Sequence, residues 1–215
     1  MSFLDRTDAG KRLAKALMRY RGDKPIILAL PRGGVPVALE VAKALNAPLD
    51  LLIVRKIGVP QQPELAAGAV VDGETPIVVR NEEVIRMAQL SEAEFSRIKD
   101  AEITEIGRRR RRYLGQRPQP ELRDRTVIVV DDGVATGATT RAALRALRLR
   151  HPHRLVLAVP VAPVETIEGL RGEADQIECL ESHVFFGAIG NFYGDFRQVS
   201  DEEVIVALNE ATAPG

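Results

Sequence analysis

Two adjacent carboxylates, Asp131 and Asp132, end an apolar run in the stretch VIVVDDGVATGATT, residues 127 to 140, and a loop of small residues follows them. Ala135, Gly137 and Ala138 carry little or no side chain, so a ligand can approach the backbone, and Thr136, Thr139 and Thr140 add hydroxyl donors. If the apolar run is a strand and the threonines open a helix, the amides of the turn converge on one spot. The positive end of the helix dipole then lies behind them, which is the physics of a phosphate cradle. Carboxylates beside a phosphate repel it unless they face proton donors or positive charge, and a ribose diol and a hydrated Mg²⁺ are such partners. Phosphate at one end and a diol beside it describe a ribose 5-phosphate. Walker-type hydrolysis would need a G-x-x-x-x-G-K-[ST] loop, which the chain lacks, and the dinucleotide fingerprint G-x-G-x-x-G is also missing.

The elements that must position this loop follow from periodicity. Leu4, Leu13, Ala16 and Leu17 sit at helical spacing, with Asp5 or Thr7 as caps, and predict a helix over about 5–20. PIILAL, 25 to 30, reads as a buried strand, and VPVALEVAKALNAP as a helix stopped by Asn46 and Pro48. LDLLIV, 49 to 54, is the next expected strand. AAGAVVDG and TPIVVR predict a hairpin turning through Asp72-Gly73, an antiparallel departure from the pattern. A long helix follows over about 91–113, with Ser91 and Glu94 as its capping box and the arginine run 108–112 at its end. That run reads as a solvated helix end favoured by the dipole, with phosphate binding as the minority alternative. Beyond a Pro-rich connector come the strand of the opening motif, a helix around 139–150, and the strand RLVLAVPV, 154 to 161. A helix near 163–171, a strand around 176–180 and a last helix boxed by Ser200 and Glu203 complete the chain. Strand and helix alternate, so the expected fold is α/β with a mostly parallel sheet flanked by helices.

Composition excludes several classes. Lys plus Arg and Asp plus Glu both number 30, so the balance gives no reason to expect nucleic-acid or anionic-membrane binding. The N-terminus lacks a signal-peptide core, no apolar stretch approaches a membrane span of about 20 residues, and the one cysteine, Cys179, excludes an intramolecular disulfide. A reducing cytoplasm is the expected location, and Cys179 reads as a buried small apolar residue. No metal-ligand spacing is present. The 215 residues are expected to form a single domain, 1–215, with a helical insertion at about 81–120 and a small hood at about 181–199.

Residues 127 to 140 fill every position of the signature of type I phosphoribosyltransferases, which the chain therefore resembles. The resemblance implies that Asp131 and Asp132 hold the ribose hydroxyls of phosphoribosyl pyrophosphate and touch Mg²⁺ through water. It also implies that Ala135, Thr136, Gly137, Ala138, Thr139 and Thr140 wrap the 5-phosphate. A second match, LALPRGGVP, falls where this family has a short pyrophosphate loop after its first strand, sometimes with a non-proline cis peptide; Arg32, Gly33 and Gly34 fill it. Lys56, past the strand LDLLIV, is a third candidate for the pyrophosphate. Asp131, Asp132 and Arg32 are then the expected catalytic residues, for Mg²⁺-dependent transfer of a phosphoribosyl group to a nitrogenous base. Relatives commonly form homodimers, and the combination of RGG, PELAAGAV and FYGDF looks most like a bacterial branch of the family.

Members acting on 6-oxopurines usually carry an acid where this chain has Ala135 and a lysine where it has Ala138. The resemblance therefore points away from hypoxanthine and guanine, towards adenine-like, orotate-like or other acceptors. The hood segment HVFFGAIGNFYGDF, 183 to 196, holds five of the nine aromatic residues. Phe186, Phe192 and Tyr193 are candidates to stack a base and Asn191 to read its edge, with core packing as the alternative. A second function class stays open: a regulatory module that senses phosphoribosyl pyrophosphate or a nucleotide without turning it over.

Overall fold

Short runs of branched apolar residues build a parallel sheet. Strands β1 (Ile26–Ala29), β2 (Leu49–Leu51), β6 (Thr126–Val130), β7 (Arg154–Pro163) and β8 (Gln176–His183) pair in the order β2-β1-β6-β7-β8. The structure is a computed structural model and describes residues 2–60, 62–73 and 75–211. Helices α1 (Arg6–Leu17), α2 (Gly34–Leu45), α5 (Ala138–Arg148), α6 (Val164–Leu170) and α7 (Asp201–Glu210) accompany the strands. Alternation along the strands sorts the core into two layers. Ile27, Ala29, Ile128 and Val130 pack with α1, α2 and α7, whereas Ile26, Leu28, Val127 and Val129 pack with α5 and α6. Both faces are covered, which explains why these strands read as unbroken apolar runs.

This order makes β1 and β6 neighbours whose following helices leave on opposite faces of the sheet, with Ala29 paired to Val130. Loops at the carboxyl ends of two such strands diverge and leave a crevice, the usual ligand position in open α/β sheets. Both sequence-predicted loops, 30–33 and 131–137, flank that crevice.

The run 49–54 is two strands where the sequence predicts one. Between β2 and β3 (Val54–Val59) the chain steps out of the parallel sheet into an antiparallel one, β3-β4-β5, with β4 Gln62–Val71 and β5 Ile77–Arg80. Leu52 and Ile53 make the step while buried, so no polar or turn residue marks it. The expected hairpin is present as β4 and β5, with Val71 opposite Ile77. Helices α3 (Glu82–Met87) and α4 (Glu92–Leu114) follow, and Ser91 and Glu94 form the predicted capping box. Ser200 and Glu203 do the same for α7.

The arginine run is not one solvated block. A helix turns about 100° per residue, so Arg110 faces inward, its side chain 14% exposed, and bridges Asp50 at 3.0 Å and Asp72 at 2.7 Å. This buried triad fastens α4 to the ends of β2 and β4. Burial pushes the Asp72 carboxyl above the usual range, and Arg110 acts against that rise. Cys179 is half-buried on β8; its thiol donates to the Glu181 carbonyl at 3.1 Å and is pushed up to about 11 by burial.

Candidate functional site

The loop after β6 is anchored before it reaches its exposed part. Val134 N–H bonds the Val161 carbonyl of β7 at 3.0 Å, and Thr166 Oγ1 of α6 donates to the Ala135 carbonyl at 2.7 Å. Gly137 takes φ +75°, a left-handed conformation, and a Cβ there would lie 2.9 Å from Thr166 Cγ2. That turn leaves Ala135, Thr136, Ala138 and Thr139 exposed at the N-terminus of α5, where unpaired amides and the dipole favour an anion. Thr140 is 3% exposed, so its hydroxyl faces the interior rather than the crevice.

The loop after β1 closes from the other side. Pro31 and Arg32 are joined by a cis peptide bond, and Leu30 N–H bonds the Val130 carbonyl at 2.9 Å. Gly33 meets the acid pair directly: a Cβ on it would fall inside the Asp132 carboxylate, 2.6 Å from its carboxyl carbon. The two loops predicted from distant parts of the sequence therefore touch, and glycine at 33 is what lets them. Gly34 opens α2 behind this contact. The Arg32 side chain leans the other way, to 3.6 Å from Asp201 at the start of α7.

The twin acids are unequal. Asp132 is 8% exposed and forms a 2.7 Å ion pair with Arg6 of α1. Arg6 also donates to the Arg197 carbonyl at 2.9 Å and lies 3.9 Å above the Phe196 ring. Asp131 is partly exposed and accepts the Asp132 N–H at 2.9 Å. Burial of its carboxyl and the neighbouring Asp132 charge hold Asp131 well above the usual carboxylate range, with Arg6 acting against the rise.

A model of the phosphoribosyl transferase domain family matches residues 3–190, most of the chain. This chain belongs to the phosphoribosyl transferase family. Two Mycobacterium tuberculosis proteins, from strains CDC 1551 / Oshkosh and H37Rv, are each named "Putative phosphoribosyl transferase" and are 44% identical over 209 residues. Those residues are 97% of this chain but 47% of each relative, so the chain spans about half the length of these curated relatives. The crystal structure of TT1426 from Thermus thermophilus superposes with a TM-score of 0.86 at 40% identity, covering 99% of this chain and 100% of that one.

Around the two loops, the remaining candidates separate. Lys56 is exposed on β3 and lines a cavity of about 370 Å³ together with Ala138 and Thr139, between the small sheet and α5. Arg32 lines a different cavity. In the hood, Phe186 and Phe192 stack with centroids 5.0 Å apart, and His183 stacks on Phe192 at 4.6 Å; Asn191 is exposed nearby. Tyr193 is 3% exposed, packed between Phe3 and Phe196, and its hydroxyl donates to the Asp132 carbonyl at 2.5 Å. Its ring thus has no face open to a base; the residue braces the acid pair from below, and burial pushes its phenol pKa up.

Sequence reasoning missed Arg6, Thr166 and Asp201. Arg6 lies 126 positions from Asp132 in an ordinary amphipathic helix, and no local spacing signals that partnership. No helix among the described residues is long and apolar enough to cross a membrane.

Proposed function

We propose that this chain transfers the 5-phosphoribosyl group of phosphoribosyl pyrophosphate to a nitrogenous acceptor and releases pyrophosphate. The observation that carries the reading is the contact of the two loops at the β1/β6 switch point, where Gly33 lies against the Asp132 carboxylate. An anion cradle, an acid pair and a second glycine loop there fit the three parts of that donor in order. The amides from Ala135 to Thr139 hold the 5-phosphate, and Asp131 and Asp132 accept from the ribose 2- and 3-hydroxyls. The loop from Pro31 to Gly34, with Arg32, takes the pyrophosphate.

In the reaction the bond between C1 and the pyrophosphate oxygen breaks, its electron pair leaving with the oxygen. The acceptor nitrogen forms the new bond to C1 and loses a proton to solvent. The sugar passes through an oxocarbenium-like state, so no covalent nucleophile is needed. The chain contributes by holding both partners in line and by placing amide and guanidinium donors where the leaving charge develops.

Among the described residues no three acidic, histidine or cysteine side chains gather as a metal cage. The acid pair offers carboxylate oxygens beside the phosphate loops, a donor set that suits Mg²⁺, which keeps most of its waters and binds substrate phosphates. Asp131 and Asp132 would hold it through water, and it would neutralise charge on the leaving pyrophosphate. For the acceptor, small side chains at 135 and 138 favour a base other than a 6-oxopurine. The stacked Phe186 and Phe192, with Asn191, offer the face and edge contacts.

The test is to supply Mg²⁺, phosphoribosyl pyrophosphate and a panel of bases and to follow pyrophosphate release. Release with one or more bases is expected. Asp131→Asn with Asp132→Asn should weaken donor binding, read by calorimetry, by roughly 100-fold or more, because two charge-assisted hydrogen bonds of about 1.5–3 kcal/mol each are lost. Unchanged affinity in that variant would remove the assignment. Tight donor binding without release for any acceptor would favour the sensing module instead.

A further inference from the structure

The arginine run contains a group that neither the buried triad nor the donor site uses. Arg108, Arg109 and Arg112, on the last turns of α4, converge with Arg32 from the loop after β1 and line a cavity of about 150 Å³ with Tyr113 and Asp201. Four guanidinium groups thus face one carboxylate in the lining. Adding the acids that pair with them from outside it, Glu105 with Arg108 and Arg109 and Glu202 with Arg112, still leaves the cluster with excess positive charge.

A helix C-terminus favours a cation, but one or two would satisfy that dipole. Here Arg32 arrives from a distant part of the chain, before the whole of the small sheet. Asp201 is already engaged, accepting from Tyr113 at 2.5 Å and pairing with Arg112 at 2.9 Å. Its 3.6 Å approach to Arg32 is longer than a hydrogen bond, so Arg32 is held there by charge alone. Arg108 and Arg109 share Glu105, which leaves donors on both forks. Guanidinium forks match phosphate oxygens in pairs. The cavity, about 150 Å³, is on the scale of a small inorganic anion.

We propose that this cavity is a second pyrophosphate site, which receives the released leaving group beside Arg32, a residue of the loop after β1 whose side chain lies towards Asp201. The leaving-group role rests on the phosphoribosyl transfer reading; the anion site itself stands on the arginine geometry. Arg32 joins the loop after β1 to this cavity: its backbone belongs to that loop and its side chain to the cavity lining.

The experiment titrates inorganic pyrophosphate, orthophosphate and phosphoribosyl pyrophosphate separately into wild type and into Arg109→Gln with Arg112→Gln, with thermal melting to confirm the fold. Arg108→Gln alone serves as a second variant if the double one melts early. Pyrophosphate should bind wild type at least tenfold tighter than the double variant and at least tenfold tighter than orthophosphate, while donor affinity stays within twofold. Equal pyrophosphate affinity in wild type and variant would overturn the site. Equal affinity for orthophosphate would overturn the leaving-group assignment, since a single phosphate from solution would then serve as well. If wild type binds pyrophosphate through these arginines but does not bind the donor, the transfer reading falls and the anion site stands.

Discussion

Arg6→Ala removes the ion-pair partner of a buried acid, Asp132. Both side chains of the Arg6–Asp132 pair are 11% exposed, and their 2.7 Å separation is that of a charge-assisted hydrogen bond. Breaking such a pair from one side leaves a buried carboxylate without a partner, a cost of about 3–5 kcal/mol. The contact with Phe196 and the bond to the Arg197 carbonyl are lost as well. For a chain of this size that corresponds to a fall in Tm of roughly 6–20 °C. Urea unfolding of wild type, Arg6→Ala, Asp132→Asn and the double variant gives the coupling. The double variant should be more stable than Arg6→Ala by at least about 1 kcal/mol, because removing both members leaves no orphaned charge. A double variant whose loss equals the sum of the two single losses would refute the reasoning, since Arg6 and Asp132 would then be uncoupled.

Gly33→Ala should lower donor affinity by more than about tenfold, since its Cβ would overlap the Asp132 carboxylate and one loop must yield; calorimetry reads this, and wild-type affinity would show that the loops do not touch. Arg110→Met leaves Asp50 and Asp72 buried without their shared cation, an expected loss of about 3–5 kcal/mol in urea unfolding. Burial already raises the Asp72 carboxyl, and losing Arg110 removes the charge that acts against the rise, so in the variant this acid takes up a proton more readily as pH falls. The Arg110→Met deficit should therefore be greater at neutral pH than at about pH 4. Cys179, pushed up to about 11, should react with iodoacetamide at pH 8 on the order of 100-fold more slowly than a free thiol, with full reactivity returning on unfolding.

What could be read from the sequence was local. The residue types of Asp131 to Thr139 follow one another without a break, and Ser91 with Glu94 and Ser200 with Glu203 cap their helices within four residues, so these were legible, although Val161 and Thr166 anchor the loop from afar. Leu52 and Ile53 defeated the strand reading because a step between two buried sheets needs the same apolar residues as a continuous strand. Arg6 and Tyr193 serve the acid pair from opposite ends of the chain, and only tertiary packing brings them together. Arg110 looked identical to its four neighbours; its burial depends on Asp50 and Asp72, which no helix-local pattern announces.

The two-residue step at Leu52 and Ile53 bears on how this scaffold can be re-engineered. Leu52 N–H bonds Ala29 of the large sheet at 2.9 Å, and the Ile53 carbonyl accepts Asp72 of the small one at 2.8 Å, so the crossing is spliced into both ladders. Deleting or grafting the segment from β3 to β5 would take away the partner of the Ile53 carbonyl, one residue beyond Leu52, which itself bonds β1 beside the crevice. Loop exchange in this protein is better aimed at residues 184–191, which lie beyond the last β8 pairing at His183 and before Tyr193, the brace of the acid pair.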